Sequence, residues 1–172
     1  VASRGLGDVY KRQVLSLAIP KVASAKEYKP ENMNDAKNQI EKAVDGDVID
    51  LVNLYNRFGF RDRGNDFSSL GTINVNSNIT IMSSDPKQAT IGLTYPEGAR
   101  AVCISNVSFK IADGKILTMN GHLYLKGPQD KALISGDGNL YLKERMNLCG
   151  QNGYPAISLP KGSVKIENLM SY

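Results

Sequence analysis

Tyrosine and lysine side chains recur at matching positions in the second half of this 172-residue chain, and they carry its clearest chemical potential. The segment Gly-His-Leu-Tyr-Leu-Lys at 121–126 returns 17 residues later as Gly-Asn-Leu-Tyr-Leu-Lys at 138–143. Tyrosine rings offer flat apolar faces to sugars, and lysine ammonium groups attract carboxylates. We therefore predict a glycan-binding strip, with the candidate residues Tyr124, Tyr141, Lys110, Lys126 and Lys143.

Two columns of outward side chains follow if the apolar residues of each short strand point inward, because alternate residues face opposite ways. The first column is Thr80, Ser108, Tyr124, Tyr141 and Lys165, and the second is Met82, Lys110, Lys126, Lys143 and Glu167. A binding strip is one interpretation of these columns. The simpler one is a solvated face whose lysines discourage edge aggregation and whose tyrosines pair across strands.

Catalytic residues are not recognisable in this pattern. A polysaccharide lyase needs clustered carboxylates for Ca²⁺ or a Lys or Arg base, and a glycoside hydrolase needs a carboxylate pair. The columns contain one carboxylate, Glu167, while Asp113, Asp130 and Asp137 occupy turns where aspartate bonds its own backbone. We predict no catalytic residue, no metal ligand and no cofactor.

The single histidine and the two cysteines are expected to be structural. His122 precedes a strand and has no Cys or His partner at zinc-ligand spacing. Cys103 lies mid-strand, and Cys149 lies in a loop about two strands further on, roughly 10 Å away if the strands stack. That distance exceeds the ~7 Å Cα limit of a disulfide, so the spacing favours two free thiols.

One helix and a series of short strands must position these side chains. Asn34 is predicted to cap a helix over 34–45, whose apolar residues at helical spacing are Ala36, Ile40, Ala43 and Val44. An insertion over 53–71 follows, and its charged residues Arg57, Arg61, Asp62 and Arg63 have no spacing that requires a cleft. Beyond it, alternating segments predict strands at 72–75, 79–82, 89–91, 102–104, 107–110, 116–119, 122–125, 133–135, 139–142, 156–159 and 163–167.

Two architectures fit these strands. Asn120-Gly121 and Asp137-Gly138 are two-residue hairpin signals, which favour an antiparallel β-sandwich. The nearly literal 17-residue repeat favours one short turn of a β-solenoid whose turns stack in parallel. We predict the solenoid, with Asn78 and Asn106 stacked in an asparagine ladder at its turns, and keep the sandwich as the alternative.

Several segments resemble exported bacterial surface proteins with the right-handed parallel β-helix of the pectate-lyase-like fold. They are Gly-Asp-x-Ile-x-Leu at 46–51, Asn-Ile-Thr-Ile at 78–81, Ala-Thr-Ile at 89–91, and the repeats at 114–121 and 132–142. The resemblance implies an all-β parallel β-helix with a short N-terminal capping α-helix and rungs over 72–172. The chain departs from the family by lacking the usual Gly-x-Tyr turn after the first strand.

Residues 1–25 are expected to lie outside the domain. Residues 1–13 resemble a translated sequencing adapter, and 14–25 resemble the end of a secretory signal peptide with Ala-Ser-Ala at its cleavage position. Without residues 1–25 the chain keeps 17 basic and 16 acidic residues, which argues against nucleic-acid binding. We expect one domain over 26–172, truncated at its C-terminus, with no transmembrane segment.

These observations together predict a secreted or cell-surface monomer. Its expected role is an adhesin-like or carbohydrate-binding scaffold whose partner is a polysaccharide or surface glycan. The alternative is a carbohydrate-active enzyme, either a polysaccharide lyase or a glycoside hydrolase, with an incomplete catalytic region. A purely structural spacer is the third possibility.

Overall fold

The computed structural model describes residues 24–54, 56–57, 65–66, 68–84, 100–121, 123–144 and 146–167. The predicted segment 1–13, most of 14–25, the strand at 89–91 and His122 lie outside these residues. Within them the chain forms one α-helix, two short 3-10 helices and 15 strands. No helix among the described residues is long and apolar enough to cross a membrane.

The elements follow one another in a regular order. The first half contains β1 (Glu27–Tyr28), α1 (Met33–Lys42), β2 (Val48–Asp50), β3 (Asn56–Arg57), β4 (Asn65–Asp66), β5 (Thr72–Val75), β6 (Ile79–Met82) and β7 (Arg100–Ser105). The second half contains β8 (Ser108–Ile111), β9 (Ile116–Asn120), β10 (Leu123–Lys126), β11 (Ile134–Gly136), β12 (Asn139–Leu142), β13 (Asn147–Cys149), β14 (Ile157–Ser158) and β15 (Val164–Ile166). The 3-10 helices are Leu51–Leu54 and Ser68–Leu70.

The strands form three sheets in which pairing is parallel. Sheet I has the order β1-β2-β6-β9-β12-β15, sheet II has β14-β11-β8-β5, and sheet III has β13-β10-β7, with β3 and β4 both pairing with β7. Among the described strands, only β3 pairs antiparallel, with β7. The mostly β prediction is therefore confirmed, and the antiparallel sandwich is wrong.

From β4 onwards the chain visits sheets III, II and I in turn, so each sheet receives every third strand. We call the four groups β4–β6, β7–β9, β10–β12 and β13–β15 layers. The described layers lie one strand spacing, about 4.8 Å, apart. Leu117 pairs with Leu140 and Leu140 with Val164, so the chain completes one layer between each of these residues and the next.

The predicted 17-residue turn is therefore wrong. Tyr124 lies in β10 of sheet III and Tyr141 in β12 of sheet I, so the repeat links two sheets of one layer. The two dipeptides that would form hairpins in the sandwich alternative instead join strands of different sheets. Gly121 connects β9 of sheet I to β10 of sheet III, and Gly138 connects β11 of sheet II to β12 of sheet I.

The core consists of apolar residues that alternate along the strands and stack between layers. In sheet I the stacked residues Ile79, Leu117 and Leu140 are all at most 3% exposed. Phe109 in sheet II and Leu125 in sheet III are also buried. The predicted inward and outward assignment is thus confirmed for β10 and β12, where the leucines are buried and Tyr124 and Tyr141 are half-buried.

Helix α1 begins and ends earlier than predicted. Asn32, not Asn34, is the N-cap, because its side chain accepts a hydrogen bond from Asp35 N at 2.9 Å. The helix ends at Lys42, and Asp47 Oδ2 accepts from Val44 N beyond it. Val44 is therefore 44% exposed rather than part of the apolar face, which Met33, Ala36, Ile40 and Ala43 form.

Side chains of α1 form hydrogen bonds with backbone groups along the edge of β5, the first strand of sheet II. Lys37 Nζ donates to Leu70 O at 2.8 Å and Thr72 O at 3.0 Å. Glu41 Oε1 accepts from Asn74 N at 3.0 Å and Asn74 Nδ2 at 3.1 Å. Because an edge strand leaves a row of backbone groups unpaired, these contacts make α1 the cap that was predicted.

The last strand of sheet I, β15, has no such cover among the described residues. Val164 and Ile166 pair in register with the buried Leu140 and Leu142, yet they are 42% and 47% exposed. The apolar columns of sheet I are therefore buried in the inner layers and exposed to solvent at β15.

Replacing Leu140 by Ala should lower the free energy of unfolding by about 2–5 kcal/mol, as expected for a buried leucine. Val164→Ala, one layer further along the same column, should cost much less because Val164 already contacts solvent. Urea denaturation followed by circular dichroism measures both. Equal losses would contradict the burial gradient along the column.

The Glu41 contact should make the cap sensitive to acid. Burial alone raises the pKa of Glu41, but the hydrogen bonds from Asn74 and the Lys37 ammonium 3.6 Å away outweigh it and lower the pKa below its ordinary value. Stability from this group is therefore present above the unfolded pKa and is lost as pH falls through the lowered folded pKa. Glu41→Gln should flatten the decline of stability between neutral and strongly acidic pH.

The exposed Glu31, which precedes the same helix, offers a matched control. Glu31→Gln should leave the pH dependence of the denaturation midpoint unchanged. If both variants follow the parent chain at every pH, the carboxylate of Glu41 does not stabilise the cap.

Candidate functional site

The outer face of sheet I carries a column of polar side chains centred on Tyr141. In register, Thr80 pairs with Thr118, Thr118 with Tyr141, and Tyr141 with Lys165. The column therefore runs across four strands, perpendicular to their direction. On β12, the buried neighbours Leu140 and Leu142 hold Tyr141 on the outer face, because alternate residues of a strand face opposite ways.

Two lysines place their ammonium groups against the Tyr141 ring. Lys165 Nζ lies 4.5 Å from the ring centroid, and Lys143 Nζ lies 5.3 Å from it. Lys165 Nζ is also 3.5 Å from the Tyr141 hydroxyl oxygen and 3.4 Å from Glu167 Oε1. We call Tyr141, Lys143 and Lys165 the Tyr141 cluster.

The cluster brings two positive charges and a phenol together on an open face. Cations at these distances are attracted by the ring quadrupole, so Tyr141 limits the positions of both ammonium groups. The Lys165 side chain remains 67% exposed, and its ammonium can therefore donate to an external group. Charge-assisted hydrogen bonds to carboxylates are the interaction that such a pair of ammonium groups provides.

The predicted binding strip was assembled incorrectly, although each of its residues lies on a described strand or directly after one. Tyr124 and Lys126 lie in sheet III, where they pair with Cys103 and Ser105. Lys110 lies in sheet II opposite Asn74. Of the five, only Tyr141, in β12, and Lys143, directly after β12, lie at sheet I.

The first predicted column is confirmed only in part. Thr80, Tyr141 and Lys165 share the outer column of sheet I, but Ser108 and Tyr124 lie in other sheets. Ser108, expected beside Tyr124, lies in sheet II and is buried, with its hydroxyl donating to Ala132 O at 3.1 Å. Strands of all three sheets alternate inward and outward residues in the same way, so the alternation does not show which sheet a strand belongs to. Lys165 was predicted to follow Tyr141 in the first column, and the register confirms this pair. Thr118, the neighbour of Tyr141 on the other side, was not predicted.

A column of polar side chains does stack at the start of the sheet I strands, but it is not the predicted pair. Asn78 Oδ1 accepts from Ile116 N at 2.9 Å, and Asn139 Oδ1 accepts from Ser163 N at 2.9 Å, each on the next layer. Asp45 Oδ1 accepts from Asn78 N at 2.8 Å at the capped end. Asn106 follows β7 at a different corner, so the ladder of Asn78 with Asn106 is wrong.

Charged groups at these turns are engaged in local contacts. The hydrogen bond from Asn78 N, together with Lys115 Nζ at 3.4 Å, lowers the pKa of Asp45 despite partial desolvation. A hydrogen bond to Asp137 at 3.0 Å raises the pKa of Lys161. These two ion pairs lie at the turns. In the Tyr141 cluster, Lys165 also pairs with Glu167, but both lysines in addition contact a ring on the outer face.

A shallow groove of about 330 Å³ lies at another corner, lined by Gly71, Asn106, Pro128, Gln129, Asp130 and Lys131. The two charged side chains in this lining are adjacent in sequence and 4.0 Å apart. No group of three or more potential His, Cys, Asp or Glu metal ligands occurs among the described residues.

The strand register confirms the predicted separation of the cysteines. Cys103 in β7 pairs with Tyr124 and Cys149 in β13 pairs with Lys126, so β10 lies between them. Two strand spacings amount to about 10 Å, which exceeds the reach of a disulfide. Cys149 is a free, half-buried thiol.

Of the insertion over 53–71, the structure describes 53–54, 56–57, 65–66 and 68–71. Arg57 lies in β3 opposite Arg100. Arg61, Asp62 and Arg63 lie outside the described residues.

Comparison with known proteins gives no further guide to the site. No protein-family model matches the chain, and no significant match occurs among curated proteins or solved structures.

The register predicts that the protein forms no intramolecular disulfide. After exposure to a mild oxidant and unfolding without reductant, thiol titration should find both cysteines reactive. A Cys149→Ser variant should show one reactive thiol under the same conditions. Loss of both thiols in the monomeric parent chain, without loss in the variant, would require a different register for β7 or β13.

Proposed function

We propose that the three parallel sheets close into a right-handed parallel β-helix whose outer face binds acidic polysaccharide at the cell surface. Support for the scaffold comes from the return of every third strand to the same sheet with parallel pairing. Crossovers between parallel strands of one sheet are right-handed in roughly 98% of cases. The resemblance of 46–51 and 78–81 to exported bacterial β-helix proteins points in the same direction.

The Tyr141 cluster carries the binding proposal. Two ammonium groups held within 5.3 Å of one ring supply charge and direction for a carboxylate. The phenol hydroxyl beside Lys165 adds a further donor or acceptor for sugar hydroxyls. A uronate residue presents both kinds of group together, whereas a neutral sugar lacks the carboxylate.

The surface around the cluster suits a polymer better than a small molecule. The column of Thr80, Thr118, Tyr141 and Lys165 crosses four strands on an open sheet face, while small ligands usually occupy enclosed pockets. A chain lying along this column would meet two short threonines before the cluster, which leave the approach unobstructed. The bound polymer would run across the strands, from one layer to the next.

Export and a surface location enter the proposal through the N-terminal sequence. The apolar run within 14–25 and its Ala-Ser-Ala ending are typical of a secretory signal. The scaffold would then act as an adhesin-like module that holds the polymer.

Affinity electrophoresis of the full chain tests the proposal, with gels that contain polygalacturonate, alginate or a neutral glucan. The parent chain should be retarded by the uronates and not by the glucan, and added salt should weaken the retardation. Tyr141→Ala and Lys165→Met should lose most of it, because each removes a member of the cluster.

Two control variants distinguish this site from general charge or aromatic content. Tyr124→Ala removes the equivalent tyrosine in sheet III, and Lys110→Met removes one positive charge from sheet II. Both should keep the retardation, measured as mobility relative to a gel without polysaccharide. Equal losses in all four variants, or no retardation of the parent, would refute the site. Ultraviolet absorbance from unsaturated uronates would instead establish a lyase.

A further inference from the structure

The chain contains two Asn-Gly dipeptides, and the fold places them in opposite environments. They are Asn120-Gly121, at the end of β9, and Asn152-Gly153, between β13 and β14. In this dipeptide the glycine nitrogen meets little steric hindrance when it approaches the asparagine side chain, since glycine has no Cβ. Because the two dipeptides are chemically identical, any difference between their reaction rates in the folded protein reflects their different surroundings.

Asn152-Gly153 forms the centre of an exposed turn. Asn152 has φ +49° and Gly153 has φ +82°, and Tyr154 N donates to Gln151 O at 2.8 Å across the turn. Two successive positive φ values with this closing bond are typical of a type I′ turn. Both residues are exposed, and a Cβ placed on Gly153 would meet no atom within 4 Å.

Asn120-Gly121 is held inside the pairing of β6 and β9. Asn120 O accepts from Ser83 N at 3.2 Å, and Asn120 Oδ1 is buried. Gly121 is itself buried, and a Cβ placed on it would lie 2.5 Å from Ser83 O. Moving either residue towards a cyclic geometry would break contacts between two layers.

We propose that Asn152 is a site of spontaneous deamidation in the folded protein, whereas Asn120 is protected. The Gly153 nitrogen attacks Cγ of Asn152, a new C–N bond forms, and the side-chain amide leaves as ammonia after proton transfer. Water then opens the resulting succinimide at either carbonyl carbon. The products are aspartate and isoaspartate, and no oxidant or cofactor takes part.

The change would alter a corner where layers are joined. Gln151, next to the site, donates from Nε2 to Gly127 O and, at 3.3 Å, to Asn106 Oδ1. Isoaspartate adds one main-chain atom beside this bridge, and either product adds a negative charge. Deamidation would therefore loosen the link between the third and fourth layers as the protein ages.

The test follows both dipeptides in one sample of the full chain. The protein is incubated at mildly alkaline pH, digested, and assayed by mass spectrometry for conversion of the peptides containing Asn120 and Asn152. In the native state the Asn152 peptide should convert at least about tenfold faster, because reaction at Asn120 needs local opening. In strong denaturant the two rates should become similar.

A variant of Asn152 serves as the control. Asn152→Gln should abolish conversion at this turn, because glutamine closes the larger ring far more slowly, and should leave Asn120 unaffected. Equal rates in the folded protein would overturn the proposal. Faster conversion at Asn120, or no conversion at Asn152 while the denatured chain reacts, would also overturn it.

Discussion

The free edge of a stacked parallel sheet is the constraint on which the rest of this structure depends. Each inner layer satisfies its backbone groups and apolar side chains through the layers on both sides, but an end layer has a neighbour on one side only. At β5, Lys37 and Glu41 replace the missing strand with side-chain hydrogen bonds. At β15, the last strand of sheet I, Val164 and Ile166 are exposed although the leucines that they pair with in β12 are buried.

The stacking also decides which outward side chains meet. Tyr141 contacts Lys165 because β12 and β15 pair in register. The 17-residue repeat of Leu-Tyr-Leu-Lys does not determine this contact. A register fixed by buried leucines leaves the outer positions free to differ between layers without loss of pairing. The Tyr141 cluster therefore lies on the outer face, while the apolar residues that stabilise the stack lie on the inner face of the same strands.

Local patterns predicted the strands and their buried faces well, since alternation in β10 and β12 reflects short-range geometry. They failed where the answer depends on distant partners. β13 escaped prediction because Asn147 and Cys149 flank a single leucine and give little apolar alternation. The three-sheet register was missed because it depends on loop length, and Asn32 replaced Asn34 as N-cap because only the fold shows which side chain reaches Asp35 N.

Asparagine has two opposite uses in the turns, and position relative to the layers separates them. Asn78 and Asn139 direct a side-chain oxygen at the backbone N–H of the following layer, so their amides are held by the stacking itself. Asn152 occupies a positive-φ turn outside the strands, where its conformation rather than its side-chain bonding explains its presence. Asparagine thus joins adjacent layers by hydrogen bonds where it lies at a strand of sheet I. In the exposed turn outside the strands, it is open to chemical change.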